Sequence, residues 1–359
     1  MPKLPKKRDG ELVKFKDEVI PFTYWPDNFV KYGTIRTYNC WQCVRSFIAN
    51  AESDLDDKKF TVIHSYVKQS EDFYRASVNS SLQIKPLLLY YSYLNLAKAF
   101  ILIREKDVFE QKEIHGLSST YTERYRGTTS LKCKIQRPSK SRVSIVKKLN
   151  EKCNFPSLKT NKIVTMDELF YEIVSIHDSY IVSKEKDRVF FPIKLTFLQS
   201  KNKKTVWIKG DINTQKLDKQ TKERLAKFVS NSKSWKRVYS DNRSILTIES
   251  IKEFPYSNTP KDQLRKLVEK IRHTIYSEQI HDGYKYYLCC KESFHAQVVS
   301  NFIIMFILGS LVRYKPQLVE KIQNEWIIHE YLSTQALQFT YLLSSGIIKN
   351  EIIPGPLPL

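Results

Sequence analysis

Long apolar stretches dominate both ends of the chain, and a polar, cation-rich stretch separates them. Residues 85–104 (KPLLLYYSYLNLAKAFILIR) are apolar almost all round, which predicts a central, buried helix with Pro86 tolerated in its first turn. Residues 293–313 read as a second central helix, stopped near Pro316, and residues 324–344 as a third. Apolar positions at helical spacing predict further helices at 39–51, 60–77 and 261–277, with short ones at 165–176 and 221–230. β-branched and aromatic residues crowd 188–198 (RVFFPIKLTFL), 204–208 and 244–248, which predicts strands, Pro192 marking an edge or a bulge in the first. The longest uninterrupted apolar run, 302–308, is far short of the roughly 20 residues of a membrane span, so it reads as part of a buried helix and no membrane partner is expected. The expected fold is mainly α: a helical core formed by N- and C-terminal segments with a basic α+β insertion in the middle. Its parts would be residues 1–120, 121–250 and 251–359.

Composition supports a packed chain, with 42% hydrophobic and 13% aromatic residues, and only 9 Gly among 359 residues suits helices better than tight turns. Charge changes the picture more. The chain carries 59 Lys and Arg against 38 Asp and Glu, a net charge of +21. Residues 1–100 contribute a net +4, residues 101–250 a net +15 and residues 251–359 a net +2. Two runs hold no acidic residue. The first carries Arg124, Arg126, Lys132, Lys134, Arg137, Lys140, Arg142, Lys147 and Lys148; the second carries Arg188, Lys194, Lys201, Lys203, Lys204 and Lys209. Like charges this dense repel one another unless solvent or an anionic partner screens them, so a polyanion is the expected partner. Tyr121, Tyr125, Phe190, Phe191, Trp207 and Trp235 lie among the cations and serve either as core or as platforms for base stacking. The expectation is binding of RNA or single-stranded DNA with weak sequence specificity, through Arg124, Arg126, Lys132, Lys134, Arg137, Lys140, Arg142, Lys201, Lys203 and Lys204. Two alternatives stay open: a non-catalytic subunit docking an acidic protein, and a nuclease whose site no motif declares.

Motifs for chemistry are sparse. A C-x-x-C pair, Cys40 and Cys43, opens a predicted helix without the preceding strand of a redox fold, and reads as core thiols rather than half a zinc site. There is no glycine-rich phosphate loop, and no cofactor or metal is expected. Ribonucleases of the HEPN type place His four to six residues after Arg on one helix; none of the seven histidines has that spacing. With six Cys and a Lys-rich start lacking an apolar signal run, the expected location is the cytoplasm.

Two stretches carry a resemblance. KPLLLYYSYLNLAKAFIL at 85–102 resembles the N-terminal helix signature of the YaaC-like family of bacterial proteins, and SNFIIMFILGSLVRYKP at 300–316 resembles its C-terminal signature. The resemblance implies a cytoplasmic helical protein without assigning a reaction; the expected nucleic-acid binding would serve a bacterial multi-protein process, with phage defence or stress response the contexts to test first. It also raises interest in Arg313 and Tyr314, which end the second signature, and in Lys85, which begins the first. These three, with His295, are candidates to face one cleft, where Arg313 would contact an anion or simply complement the helix dipole.

Overall fold

The computed structural model describes residues 5–15, 18–20, 22, 40–50, 57–105, 107–108, 112–121, 125–202, 204–255, 261–280, 283–291, 295–322 and 325–347. Strands β1 (Gly10–Leu12), β2 (Lys14–Phe15) and β3 (Glu18–Val19) come first, then helices α1 (Cys40–Asn50), α2 (Asp57–Val78) and α3 (Lys85–Arg104). Short elements follow: β4 (Lys112–Ile114), β5 (Leu117–Tyr121), β6 (Leu131–Ile135), β7 (Arg142–Ser144), α4 (Ile145–Lys152), β8 (Ile163–Thr165), α5 (Met166–Phe170) and α6 (His177–Lys184). Next are β9 (Phe190–Ser200), β10 (Thr205–Asn213), α7 (Lys219–Asn231), β11 (Trp235–Arg237), β12 (Ile245–Ser250) and β13 (Phe254–Pro255). The chain continues through α8 (Lys261–Ile271), β14 (Ile275–Ile280), β15 (Gly283–Cys289), α9 (Gln297–Tyr314), α10 (Pro316–Ile322) and α11 (Trp326–Ile347).

These elements group into two compact units. The sheet unit draws on Met1–Arg36 and Lys186–Ser293, the helical unit on Thr37–Glu185 and Phe294–Lys349. Residues 121–185 of the basic middle therefore belong to the helical unit and residues 186–250 to the sheet unit.

In the sheet unit an eight-stranded antiparallel sheet runs β11-β12-β10-β9-β15-β14, with β1 also pairing with β9 and β13 with β10. Strand β9 shows why its sequence folds this way. Phe191, Ile193, Leu195 and Phe197 alternate into a core shared with Val206, Ile208, Trp235, Leu264 and Leu267, while Lys194 points out. Pro192 pairs with Tyr287 of β15, and the β9–β10 ladder begins only at Lys194, so the missing proline N–H breaks no bond on that side. Asp218 caps α7, its carboxylate accepting from the backbone N–H of Thr221 at 2.8 Å.

The mainly α expectation, with a basic α+β insertion in the middle, is overturned by this sheet. The fold is mixed α/β. The sheet collects strands from the first part of the chain (β1), the middle (β9 to β12) and the last part (β14 and β15). The pattern at 261–277 suits a helix only as far as Ile271, after which Ile275 begins β14 and pairs with Leu288.

The helical unit is built around α3, which packs against α2, α9 and α11. Polar side chains tie these helices where they meet. Ser70 donates to the Ser92 carbonyl at 2.6 Å, and the Tyr331 hydroxyl donates to Asn301 Oδ1 at 2.9 Å. Tyr93 stacks on Phe339. Helix α9 crosses α3 closely because residue 309 is glycine: a Cβ there would lie 3.1 Å from Tyr90 Cβ and 3.6 Å from the Pro86 carbonyl oxygen. Both α3 and α9 are long and apolar enough by composition to cross a membrane, yet 78% and 83% of those windows are buried in the folded chain. The two stretches that resemble family signatures are thus the paired central helices of this unit.

Candidate anion-binding site

On the helical unit, β5, β6 and β8 form a three-stranded antiparallel sheet. Central strand β6 (LKCKI) alternates strictly: Leu131, Cys133 and Ile135 are buried, and Lys132 and Lys134 are exposed. Burial raises the Cys133 thiol to about 12, so it is core and not a nucleophile. Register sets the neighbours of the two lysines. Lys132 lies opposite Thr120 and Thr165, and Lys134 lies opposite Ser118 and Ile163.

One edge of this sheet is held by a specific backbone path. Gly116 links β4 to β5 at φ +78°, a conformation that side chains resist, and a Cβ there would collide with the Ser144 side chain. Its carbonyl accepts from the Gln136 N–H at 2.9 Å, and the Asn161 N–H donates to the Ile135 carbonyl at 2.8 Å. These bonds gather the ends of β5, β6 and β8 around the loop that leads to β7. The result is an open depression of about 700 Å³ lined by Ile114, Ser118, Lys134, Gln136, Arg137, Ser139, Arg142 and Asn161. Three cations and several neutral donors converge there, and no carboxylate of a described residue lines it. Lys132, Lys134, Arg137 and Arg142 form no ion pair with any described residue. Such a surface can neutralise phosphate groups, with the arginines able to bind two oxygens at once.

The other expected contacts fall elsewhere. Arg126 and Lys140 are exposed in the helical unit outside the depression lining. Lys148, also in the first acid-free run, is matched: with Lys152 it holds Glu105, and these bonds keep that carboxyl below its ordinary range against the desolvation that raises it. Lys201 and Lys204 lie at the β9–β10 turn of the sheet unit, where Lys201 pairs with Asp9 at 2.8 Å. Arg124 and Lys203 lie outside the described residues. Four of the six aromatics among the cations are core: Phe190, Phe191, Trp207 and Trp235 are each 2% exposed or less. Tyr121 donates to the Ile307 carbonyl at 3.3 Å, and Tyr125 to Glu325 Oε1 at 3.0 Å.

The four expected cleft residues separate. Lys85 and Arg313 lie at the same end of the α3–α9 pair, since Pro86 and Gly309 meet there. His295 precedes the opposite end of α9, about 27 Å away along an 18-residue helix, and sits 2.8 Å from Glu172. Arg313 makes contacts that its place in the sequence does not declare. Its guanidinium lies 5.9 Å from the ring centres of Tyr90 and Tyr91 and 5.0 Å from that of Tyr314. Tyr90 is fully buried, and its hydroxyl meets His115 Nδ1 at 2.5 Å. Burial, then the charges of Arg313 and Lys98, lower the His115 pKa below its ordinary 6.5, only Glu113 opposing them. Among the described residues no group of three or more His, Cys, Asp or Glu is placed to hold a metal ion. Cys40 is buried in α1, and the side chain of Cys43 lies outside the described residues.

Sequence reasoning reached Lys134, Arg137 and Arg142 through the missing acids. Ser118, Gln136, Ser139 and Asn161 carried no such signal, although the K-C-K alternation of β6 places both its lysines on one strand face. Tyr90, Tyr91 and His115 were unmarked.

Neither the comparison with curated proteins nor that with solved structures found a match. A family model described as YaaC-like protein matches residues 31–347, a span that holds α1 to α11 and with them both central helices and the basic depression. On that match the chain belongs to the YaaC-like family.

Proposed function

We propose that this protein binds nucleic acid through the phosphate backbone, with weak sequence specificity, using the outward face of β5–β6–β8 and the adjoining depression. The observation that supports this reading is the convergence of Lys134, Arg137 and Arg142 on one open, carboxylate-free surface, with Lys132 beside them on β6. Cations that no protein carboxylate matches favour a polyanion, and the release of its counterions drives binding. Serine, threonine, glutamine and asparagine around them suit additional bonds to phosphate oxygens. Among the described residues no aromatic lines the depression, and four of the six candidate stackers, Phe190, Phe191, Trp207 and Trp235, are buried in the core. Recognition by base stacking therefore has little support, and the backbone is the feature to be read. The proposed setting is the cytoplasm.

The test is fluorescence anisotropy at low salt with labelled RNA, single-stranded DNA and duplex DNA of several sequences. The full chain should bind all of them with affinities that vary little with sequence. The Lys134→Glu/Arg137→Glu/Arg142→Glu variant should lose at least tenfold, whereas Lys201→Glu/Lys204→Glu, on the other unit, should lose less. Absence of binding by the unaltered chain would reject the proposal and favour an acidic protein as the occupant of this face.

A further inference from the structure

We propose that Arg313, His115 and Tyr91 form a second site, specific for a phosphate monoester group. It lies at the end of the α3–α9 pair and is separate from the lining of the basic depression.

Arg313 brings the charge to this corner. Its guanidinium is partly buried among Tyr90, Tyr91 and Tyr314, and no described carboxylate pairs with it. The one hydrogen bond it donates is long, 3.4 Å to the Tyr91 hydroxyl, and its Nε is buried without a partner. A cation held away from water without a counter-charge is costly, and an incoming anion removes that cost. Lys98, the other cation acting on His115, is paired with Glu113.

Histidine 115 adds a donor beside it. The Tyr90 hydroxyl makes no other hydrogen bond among the described residues, so its proton is satisfied only by donation to His115 Nδ1. That leaves the ring proton on Nε2, with the imidazole neutral. His115 and Arg313 flank the same Tyr90 ring, 5.6 Å and 5.9 Å from its centre. The corner therefore offers the guanidinium fork, an imidazole N–H and the Tyr91 hydroxyl, all donors. A planar carboxylate has two oxygens to share among them; a phosphate monoester has three, arranged in three dimensions, and carries the greater charge. Tyr314 is 65% exposed and leaves one side open to solvent.

Calorimetric titration of the full chain tests this with inorganic phosphate, a nucleoside monophosphate and the same nucleoside without phosphate. Phosphate and the monophosphate should bind and the bare nucleoside should not. Arg313→Gln should weaken binding tenfold or more and Tyr91→Phe several-fold, while the Lys134→Glu/Arg137→Glu/Arg142→Glu variant binds as before. That last comparison separates this site from the nucleic-acid surface, so either proposal can fail alone. Adding a 5′-phosphorylated oligonucleotide and its unphosphorylated twin then distinguishes a strand end from a free nucleotide as the source of the group. Because Arg313→Gln can perturb folding, the His115 imidazole resonances of the unaltered chain give a second reading: phosphate should shift them and leave those of His329 in place. Static His115 resonances, undiminished binding by a folded Arg313→Gln variant, or loss confined to the depression variant would each overturn the proposal.

Discussion

Glu249 in β12 has a fully buried side chain, and Arg8 supplies most of its counter-charge. The Arg8 Nε donates to Glu249 Oε2 at 2.9 Å, its backbone N–H donates to Oε1 at 3.2 Å, and its guanidinium lies 4.8 Å from the Trp207 ring centre. Lys236 approaches the same carboxylate only to 3.9 Å. Removing Arg8 strands a buried charge, so Arg8→Ala should cost about 3 kcal/mol by denaturant unfolding. Adding Glu249→Gln to that variant should restore part of the loss, because the stranded charge goes with it. Additive losses would contradict the reading. Neither this pair nor the Tyr90–His115–Arg313 corner was legible in the sequence. Arg8 and Glu249 lie 241 positions apart, Tyr90 and His115 lie 25 apart, and Tyr91 and Arg313 lie 222 apart, and no local pattern encodes such encounters. Arg313 alone was visible, because a cation closing an apolar helix stands out.

Helices and strands differed in how plainly they announced themselves. Helix α3 runs over the residues its sequence predicts, since twenty nearly all-apolar residues can satisfy their backbone and bury every side only as a central helix. The strands of the candidate site are three to five residues long and rich in Lys, Ser and Thr, so their apolar side is one to three residues long. The three residues of β8 are too few to separate from a loop, and the five of β6 stand alone between turns. The α3–α9 crossing also yields a prediction. Gly309→Leu must force Tyr90 aside, and overpacking there should cost about 2 kcal/mol or more. It should also displace Tyr90 from His115, changing the His115 imidazole resonances, whereas a Gly309→Ala change needs only a shift of tenths of an ångström. Equal stability and unchanged resonances in the Leu variant would show that the crossing is looser than the structure has it.

For the whole molecule, charge distribution was easier to read than topology. The excess of cations in residues 101–250 follows from counting, yet the fold divides that stretch between two units, so the two acid-free runs belong to different units. The eight-stranded sheet escaped because its strands come from three separate parts of the chain, Gly10 of β1 pairing with Ser200 of β9, and pairing at such separations is decided by tertiary fit. The YaaC-like family match spans both central helices and assigns no reaction. The proposed function therefore rests on the basic face, and its physical signature is electrostatic. The most direct measurement is the salt dependence of duplex DNA binding by the full chain and by the Lys134→Glu/Arg137→Glu/Arg142→Glu variant. Each lost phosphate contact lowers the slope of log affinity against log salt by about 0.9, so the variant should show a slope shallower by about 2 to 3. Parallel lines for the two proteins would contradict the account, because they would place the phosphate contacts on some other surface.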